Sequence, residues 1–268
     1  MAAPPLSHPD DRKTIVWWTI LRSIAVFNIF AWMATWWLSD SAVDTVRANL
    51  VLSAIFTLVC AFRSFWPRID LERTALVDSP LSSMVAGRSA ATIAEVSFAT
   101  QVALYVRQIG IASGMSVLED ILPWLIVALL ATAQAFCWSS VINLNHLGHA
   151  IEESIWGGTF AMVTVAMIWA VPQLEGPLFW ITAVSIPGCI AYVIFMVVVD
   201  VPMYVKRWRA GRRNNERVLG LAEGFADALY RREPTRSWAV WKPEVAWLTG
   251  YFSFAVWASL GMVFVAAL

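Results

Sequence analysis

Charge is the scarcest property of this chain. Of 268 residues, 14% are Asp, Glu, Lys or Arg and 59% are apolar, whereas a soluble domain carries roughly a quarter charged residues. Such a chain cannot clothe a water-soluble body of its size, and it reads as an integral membrane protein. No polar stretch exceeds about forty residues, which leaves no room for a soluble module. The formal net charge is zero, and there is no basic tail, so nothing points to nucleic acid. Cysteine and histidine are rare, three of each. Cys60, Cys137 and Cys189 fall in separate apolar runs. They suggest no disulfide framework and no thiolate metal site, only small buried hydrophobes. HExxH, GxSxG and phosphate-loop patterns are all missing.

What is abundant is apolar sequence in long runs. A helix needs about 20 mainly apolar residues to cross the hydrocarbon, and seven segments qualify: 15–38, 48–66, 89–106, 121–144, 156–171, 178–201 and 245–268. The first comes after a polar tail, 1–14, and is too long for the apolar region of a cleavable signal peptide. The expected fold is an all-α polytopic bundle of about seven transmembrane helices. The fifth run is the shortest, so a six-span arrangement with that segment re-entrant is the alternative. With seven alternating spans, 17 of the 19 Lys and Arg residues fall on the N-terminal side, and only Arg47 and Arg107 on the other. Basic residues beside spans stay cytoplasmic, so the N-terminus is expected inside and the C-terminus on the opposite side.

Tryptophan, 16 residues in all, gathers near span ends: Trp17, Trp18, Trp36, Trp37, Trp66, Trp156, Trp180, Trp208, Trp238, Trp241 and Trp247. That placement is expected of an interfacial aromatic belt. The connection 206–244 holds ten basic and five acidic residues. Within it Val218, Leu221, Ala222, Phe225 and Leu229 recur at helical spacing, which predicts one amphipathic helix lying in the interface plane. The basic run 206–217 suits anionic headgroups or a membrane-protein partner.

Three polar groupings could carry chemistry, all at the basic side. After the fourth span comes Asn-Leu-Asn-His-Leu-Gly-His-Ala-Ile-Glu-Glu-Ser, 143–154. On a helix His146, His149 and Glu153 share a face at i, i+3 and i+7, with Glu152 three residues beyond His149. Two imidazoles and a carboxylate could hold a single divalent metal or exchange protons. Gly148 between them also permits a turn. At the entry to the third span, Arg88, Thr92 and Glu95 share a face. An ionisable group inside a span needs a partner, and Arg88, Arg22 and Arg63 are the cations near that depth. Gln101, deeper, suits a bond to a neighbouring helix. Before that span, Arg68, Asp70, Glu72, Arg73, Asp78, Ser82 and Ser83 suggest an ordered surface, with Arg68 and Arg73 fitted to phosphate oxygens. Asp200, at the end of the sixth span, meets the same interface.

The expectation is an enzyme acting on a membrane lipid or isoprenoid at that interface. Glu95 and His149 would share acid–base work, Glu152 or Glu153 would orient a histidine, and Arg68, Arg73 and Arg88 would hold an anionic headgroup. The alternatives are a non-catalytic subunit that binds lipid, pigment, another membrane protein or a second copy of itself, and a proton-coupled transporter using Glu95 and Asp200. Against the transporter, the spans show no internal repeat.

Overall fold

The computed structural model describes residues 9–268, with side chains from residue 11 onward. Most of the expected tail, His8 included, lies outside the described residues. The described chain is an all-α bundle. Its helices are α1 (Pro9–Leu38), α2 (Asp44–Phe65), α3 (Met84–Ser113), α4 (Leu122–Asn143), α5 (His146–Ala170), α6 (Gly176–Phe195), α7 (Val201–Arg213), α8 (Leu221–Tyr230), α9 (Trp238–Gly250) and α10 (Val256–Val265). Single π-helical turns lead into α4 (Val117–Ile121) and join α6 to α7 (Met196–Asp200) and α9 to α10 (Tyr251–Ala255). Seven rods result. Six are long and apolar enough to cross a membrane.

The seventh rod is α3, and it differs for a physical reason. Its 30 residues would extend about 45 Å, but it carries Arg88, Glu95 and Arg107. It can hold Arg88 and Glu95 because it lies at the centre, packed against α2, α4, α5 and α10, while Arg107 is exposed near its far end. A shortage of apolarity therefore falls on α3 and not on the fifth span. The fifth helix is also longer than the apolar run implied: α5 begins at His146, ten residues ahead of the expected start at 156. The polar segment 146–155 is helical and continuous with the span.

Two apolar clusters flank α3. One contains Ile126, Leu130, Trp156, Met167 and Met196, and the other Trp17, Leu21, Phe56, Trp241, Phe252 and Leu260. Phe98 of α3 packs against both. Further along α3, Gln101 donates through Nε2 to the Ser259 carbonyl at 3.1 Å and accepts from Ser259 Oγ, so α3 is bonded to α10 as its position suggested. The aromatic belt holds for part of the set only. Trp36, Trp37, Trp180 and Trp247 are exposed, whereas Trp17, Trp156 and Trp241 are buried. Trp17 and Trp241 lie 5.7 Å apart, and their indole N–H groups donate to Thr249 and the Thr235 carbonyl. Rings at span ends here join helices as often as they face outward.

One end of the bundle is closed by the two longest connections. β1 (Arg68–Ile69) pairs antiparallel with β2 (Thr74–Ala75), and β2 pairs in parallel with β3 (Glu233–Pro234). The fully buried Arg73 donates from Nε to Asp227 of α8 at 2.7 Å and from Nη1 to the Asp70 carbonyl at 2.8 Å. Arg232 meets Asp78 at 3.2 Å. The polar surface expected before the third span is ordered by these pairs. The amphipathic helix exists as α8, shorter than its apolar pattern and differently used. Gly224, pressed against the Ile142 carbonyl, and Ala228 are buried, while Val218, before the helix, and Leu221 and Phe225 are exposed. Small residues seat it, and its larger ones are left facing outward.

Removing one partner of a buried ion pair strands the other, at about 3–5 kcal/mol. Asp227→Ala should therefore destabilise the fold by roughly that amount in detergent unfolding measurements. The double variant Arg73→Met/Asp227→Ala should recover most of the loss.

Candidate functional site

The α4–α5 hairpin builds the site. Leu144 takes a left-handed conformation, φ 54°, and ends α4. Asn145 caps α5, its Oδ1 accepting from the Leu147 N–H at 3.0 Å. Gly148 allows a close approach of the two helices. A Cβ there would collide with the Phe136 carbonyl and Ser140, so its absence lets the first turn of α5 lie directly on α4. The His149 N–H then donates to Ser140 Oγ at 3.1 Å. Residues twelve apart in sequence, Cys137 and His149, become neighbours across the hairpin.

From α3, one face delivers Arg88 and Glu95. Arg88 Nη2 lies 2.7 Å from Glu95 Oε1 and also donates to Gln134 Oε1 at 3.0 Å, while Nη1 donates to Cys137 Sγ at 2.9 Å. Gln134 Nε2 donates to Glu95 Oε2 at 2.8 Å. Cys137 Sγ lies 3.8 Å from His149 Nδ1, which is 2.7 Å from Glu152 Oε2. Every member of this chain is buried, from Glu95 through Gln134, Arg88, Cys137 and His149 to Glu152. Thr92 belongs to it sideways, accepting from Trp138 Nε1 at 3.0 Å. The partner demanded by Glu95 is thus Arg88. Arg22 and Arg63 are instead placed over the rings of Trp18 and Phe252.

The third wall is the α6–α7 rod. Tyr204 stacks near His149, ring centroids 5.0 Å apart, and stands 6.2 Å from the His146 ring. Asp200 is buried and interacts electrostatically with His149, Glu152 and Arg207. It closes the π-helical turn, where Val201 N–H reaches back to the Met196 carbonyl and Pro202 comes next with no N–H of its own.

The fold brings some of the candidate ligands together and keeps others apart. His146, His149 and Glu153 do not converge on one metal position, because His146 and Glu153 are separated by about 10 Å of helical rise. His146 turns toward Tyr204 and lines a depression of about 310 Å³ with Leu71, Glu72, Leu144, Glu216 and Arg217. Glu153 is partly buried and acts electrostatically on Tyr204 and Tyr192. The converging donors are Cys137, His149 and Glu152. Cys137 is therefore more than a small hydrophobe, since Arg88 and His149 both meet its sulfur. Apolar neighbours in sequence concealed it; Gln134, three residues earlier on the same helix face, was the available signal.

The arginines expected to hold a headgroup are all internal. Arg73 and Arg88 are committed to the partners already named. Arg68 lies over Gly87 with 1% of its side chain exposed, 3.3 Å from Asp70 and 5.6 Å from the Phe62 ring. Its guanidinium nitrogens make no hydrogen bonds, and burial pushes its pKa down to about 10 against the pull of Asp70. Exposed arginines gather on α7, where Trp208, Arg209, Arg212 and Arg213 line an open groove.

Fold and site together define a multi-pass membrane protein with a buried ionisable chain linking three helices beside its polar cap. No family model matches the chain, nor does any curated protein or solved structure.

Lysine cannot reproduce the fork that lets Arg88 serve Glu95, Gln134 and Cys137 together. Arg88→Lys should lower stability by roughly 1–3 kcal/mol, seen as a reduced unfolding temperature. Arg68→Met/Asp70→Leu, which replaces both members of a poorly bonded buried pair, should be neutral or stabilising, whereas Arg68→Met alone should destabilise by stranding Asp70.

Proposed function

We propose that this is an integral membrane enzyme acting on a lipid or isoprenoid-type substrate by acid–base chemistry at one membrane interface. The observation that carries this reading is the unbroken polar chain from Glu95 to Glu152 inside a membrane bundle. Ionisable groups at such depth are costly, and they mark functional sites more often than scaffolding.

Within it, His149 is the proton-transfer group. Glu152 engages Nδ1, which orients the ring and leaves Nε2 as the nitrogen for exchange with substrate. Arg88 and Gln134 tie Glu95 to α4, making Glu95 a positioning group for the hairpin. Glu153, Asp200, Tyr204 and His146 flank the imidazole on the side of α7 and are the groups a substrate would meet. Anionic headgroups would be met by the open face of α7, with Arg209, Arg212 and Arg213, in place of Arg68, Arg73 and Arg88. Each such surface charge contributes about 1 kcal/mol near an anionic leaflet.

The same basic cap argues for orientation. The polar connections knitted together at one end carry most of the Lys and Arg residues, which favours a cytoplasmic cap, a cytoplasmic N-terminus and a C-terminus on the opposite side. A membrane-impermeant maleimide applied to intact cells should label Asp40→Cys and spare Asn214→Cys. The reverse pattern would invert the topology.

A second reading, a non-catalytic subunit of a membrane complex, is favoured by the exposed aromatic face of α1. There Phe27, Phe30, Trp36 and Trp37 stand open, with Phe27 beside Trp257 of α10 at 5.9 Å. Mass spectrometry of lipid extracts separates the two. Cells expressing the protein should differ from vector controls in defined lipid species, and His149→Gln and Glu152→Gln should each remove that difference. Profiles unmoved by the parent protein, or moved equally by both variants, would overturn the catalytic reading.

A further inference from the structure

We propose that Cys137, His149 and Glu152 bind one transition-metal dication of the zinc or cobalt(II) type. Their donor atoms, Sγ, Nδ1 and Oε2, all lie within 4.8 Å of one another, and all three residues are buried. This is the one grouping of its kind among the described residues. Tetrahedral zinc with one sulfur, one nitrogen and one oxygen ligand sets neighbouring donors roughly 3.3–3.6 Å apart. The thiol–imidazole separation of 3.8 Å and the imidazole–carboxylate separation of 2.7 Å bracket that range. Side-chain adjustments of about half an ångström would accommodate the ion.

The way the three groups meet also differs from a thiol–imidazole–acid nucleophile relay. In a nucleophile–histidine–acid relay, the nucleophile takes one ring nitrogen and the acid takes the other. Here sulfur and carboxylate both approach Nδ1, so the two outer groups converge on a shared point instead of flanking the ring. The donor set is soft and intermediate as well as hard, which suits zinc-like ions and disfavours magnesium or calcium.

The surroundings are those of a supported site. Arg88 donates to the sulfur at 2.9 Å, a hydrogen bond from outside the trio that holds the ligand atom in place. Glu95 and Gln134 hold Arg88 in turn. The Tyr204 ring packs beside the imidazole, centroids 5.0 Å apart. Coordination forms metal–sulfur, metal–nitrogen and metal–oxygen bonds. The thiol proton leaves to solvent, and the imidazole binds through Nδ1 as its Nε2–H tautomer. Arg88 and the dication then balance Glu95, Glu152 and the Cys137 thiolate to zero formal charge. Three protein donors leave a fourth position open, the arrangement of metals that act on a substrate.

This proposal shares residues with the catalytic reading, but it is read out without turnover, so each can fail alone. The full-length protein, purified under reducing conditions and stripped with chelator, is titrated with cobalt(II) chloride. The expected result is one cobalt per chain, with a near-ultraviolet thiolate-to-cobalt charge-transfer band and visible bands of tetrahedral intensity, displaced by zinc chloride. Cys137→Ser should abolish the charge-transfer band, while Cys60→Ser and Cys189→Ser keep it. His149→Gln and Glu152→Gln should each weaken binding at least tenfold. Absence of stoichiometric cobalt in the parent protein overturns the proposal, as does a bound cobalt with no thiolate band or a band that survives Cys137→Ser. If Cys137→Ser does not fold, X-ray absorption of the cobalt-loaded parent decides by the presence or absence of one sulfur in the first coordination shell.

Discussion

The ion pair between Arg88 and Glu95 governs how the rest of the bundle is arranged. Two opposite charges about two helical turns apart would be expensive on a lipid-facing helix, so α3 has to be central. Once it is central, every other rod must pack around it. The two apolar clusters lie to either side of α3, and Phe98, a turn beyond Glu95, belongs to both. The pair is not self-sufficient either. Gln134 bonds both of its members from α4, so the charge on α3 also dictates which face of α4 turns inward. The face that turns inward carries Cys137 with Gln134.

From there the geometry passes to α5 through a two-residue turn. Leu144 adopts a conformation that branched and bulky residues usually avoid, and Asn145 supplies the cap that makes the reversal abrupt. Gly148 then allows backbone contact between the two helices. These three positions set the distance between Cys137 and His149, and none of the three bears a reactive group. The polar cap performs a similar service at the end of the bundle. β3 and α8 come from the connection before the last rod, yet they dock on residues before the third and at the end of the fourth. The site is held between elements from widely separated parts of the chain.

This division explains what could be read in the amino-acid order. The all-α membrane bundle and the gathering of polar groups at one end came from hydropathy and charge placement, both additive properties. The pairing of Glu95 with Arg88 came from helical spacing within one segment. The extension of α5 back to His146 was not legible, because a polar stretch after an apolar run looks like a loop until its far face is known to be covered. The same blindness hid Cys137. Its value depends on Arg88, 49 residues away, and on the close approach that Gly148 allows. Read locally, that glycine weakens a helix; in three dimensions it brings two helices together. Arg68 and Arg73 show the converse: arginine among acidic residues fits a surface that binds phosphate, but Arg68, in β1, and Arg73, bonded to Asp227, are both buried.

A last consideration is the balance of charge around His149. Glu152 bonds it, Asp200 and Glu153 lie on its α7 side, and Glu95 is reached through Arg88 and Cys137. Four carboxyl groups thus share a buried neighbourhood with two arginines, Arg88 and Arg207, of which Arg207 is half-exposed and also drawn to Glu72 at 3.7 Å. Bringing so many like groups together in a buried place is costly. An excess of acid at this position has no packing advantage, since a leucine would fill the same volume without needing a partner. Arg88, Glu95 and Gln134 by themselves form a bonded staple between α3 and α4, with Arg88 Nε left without a partner. The carboxylates beyond Cys137 take no part in that staple: Glu152 is bonded to His149, and Asp200 and Glu153 lie toward α7.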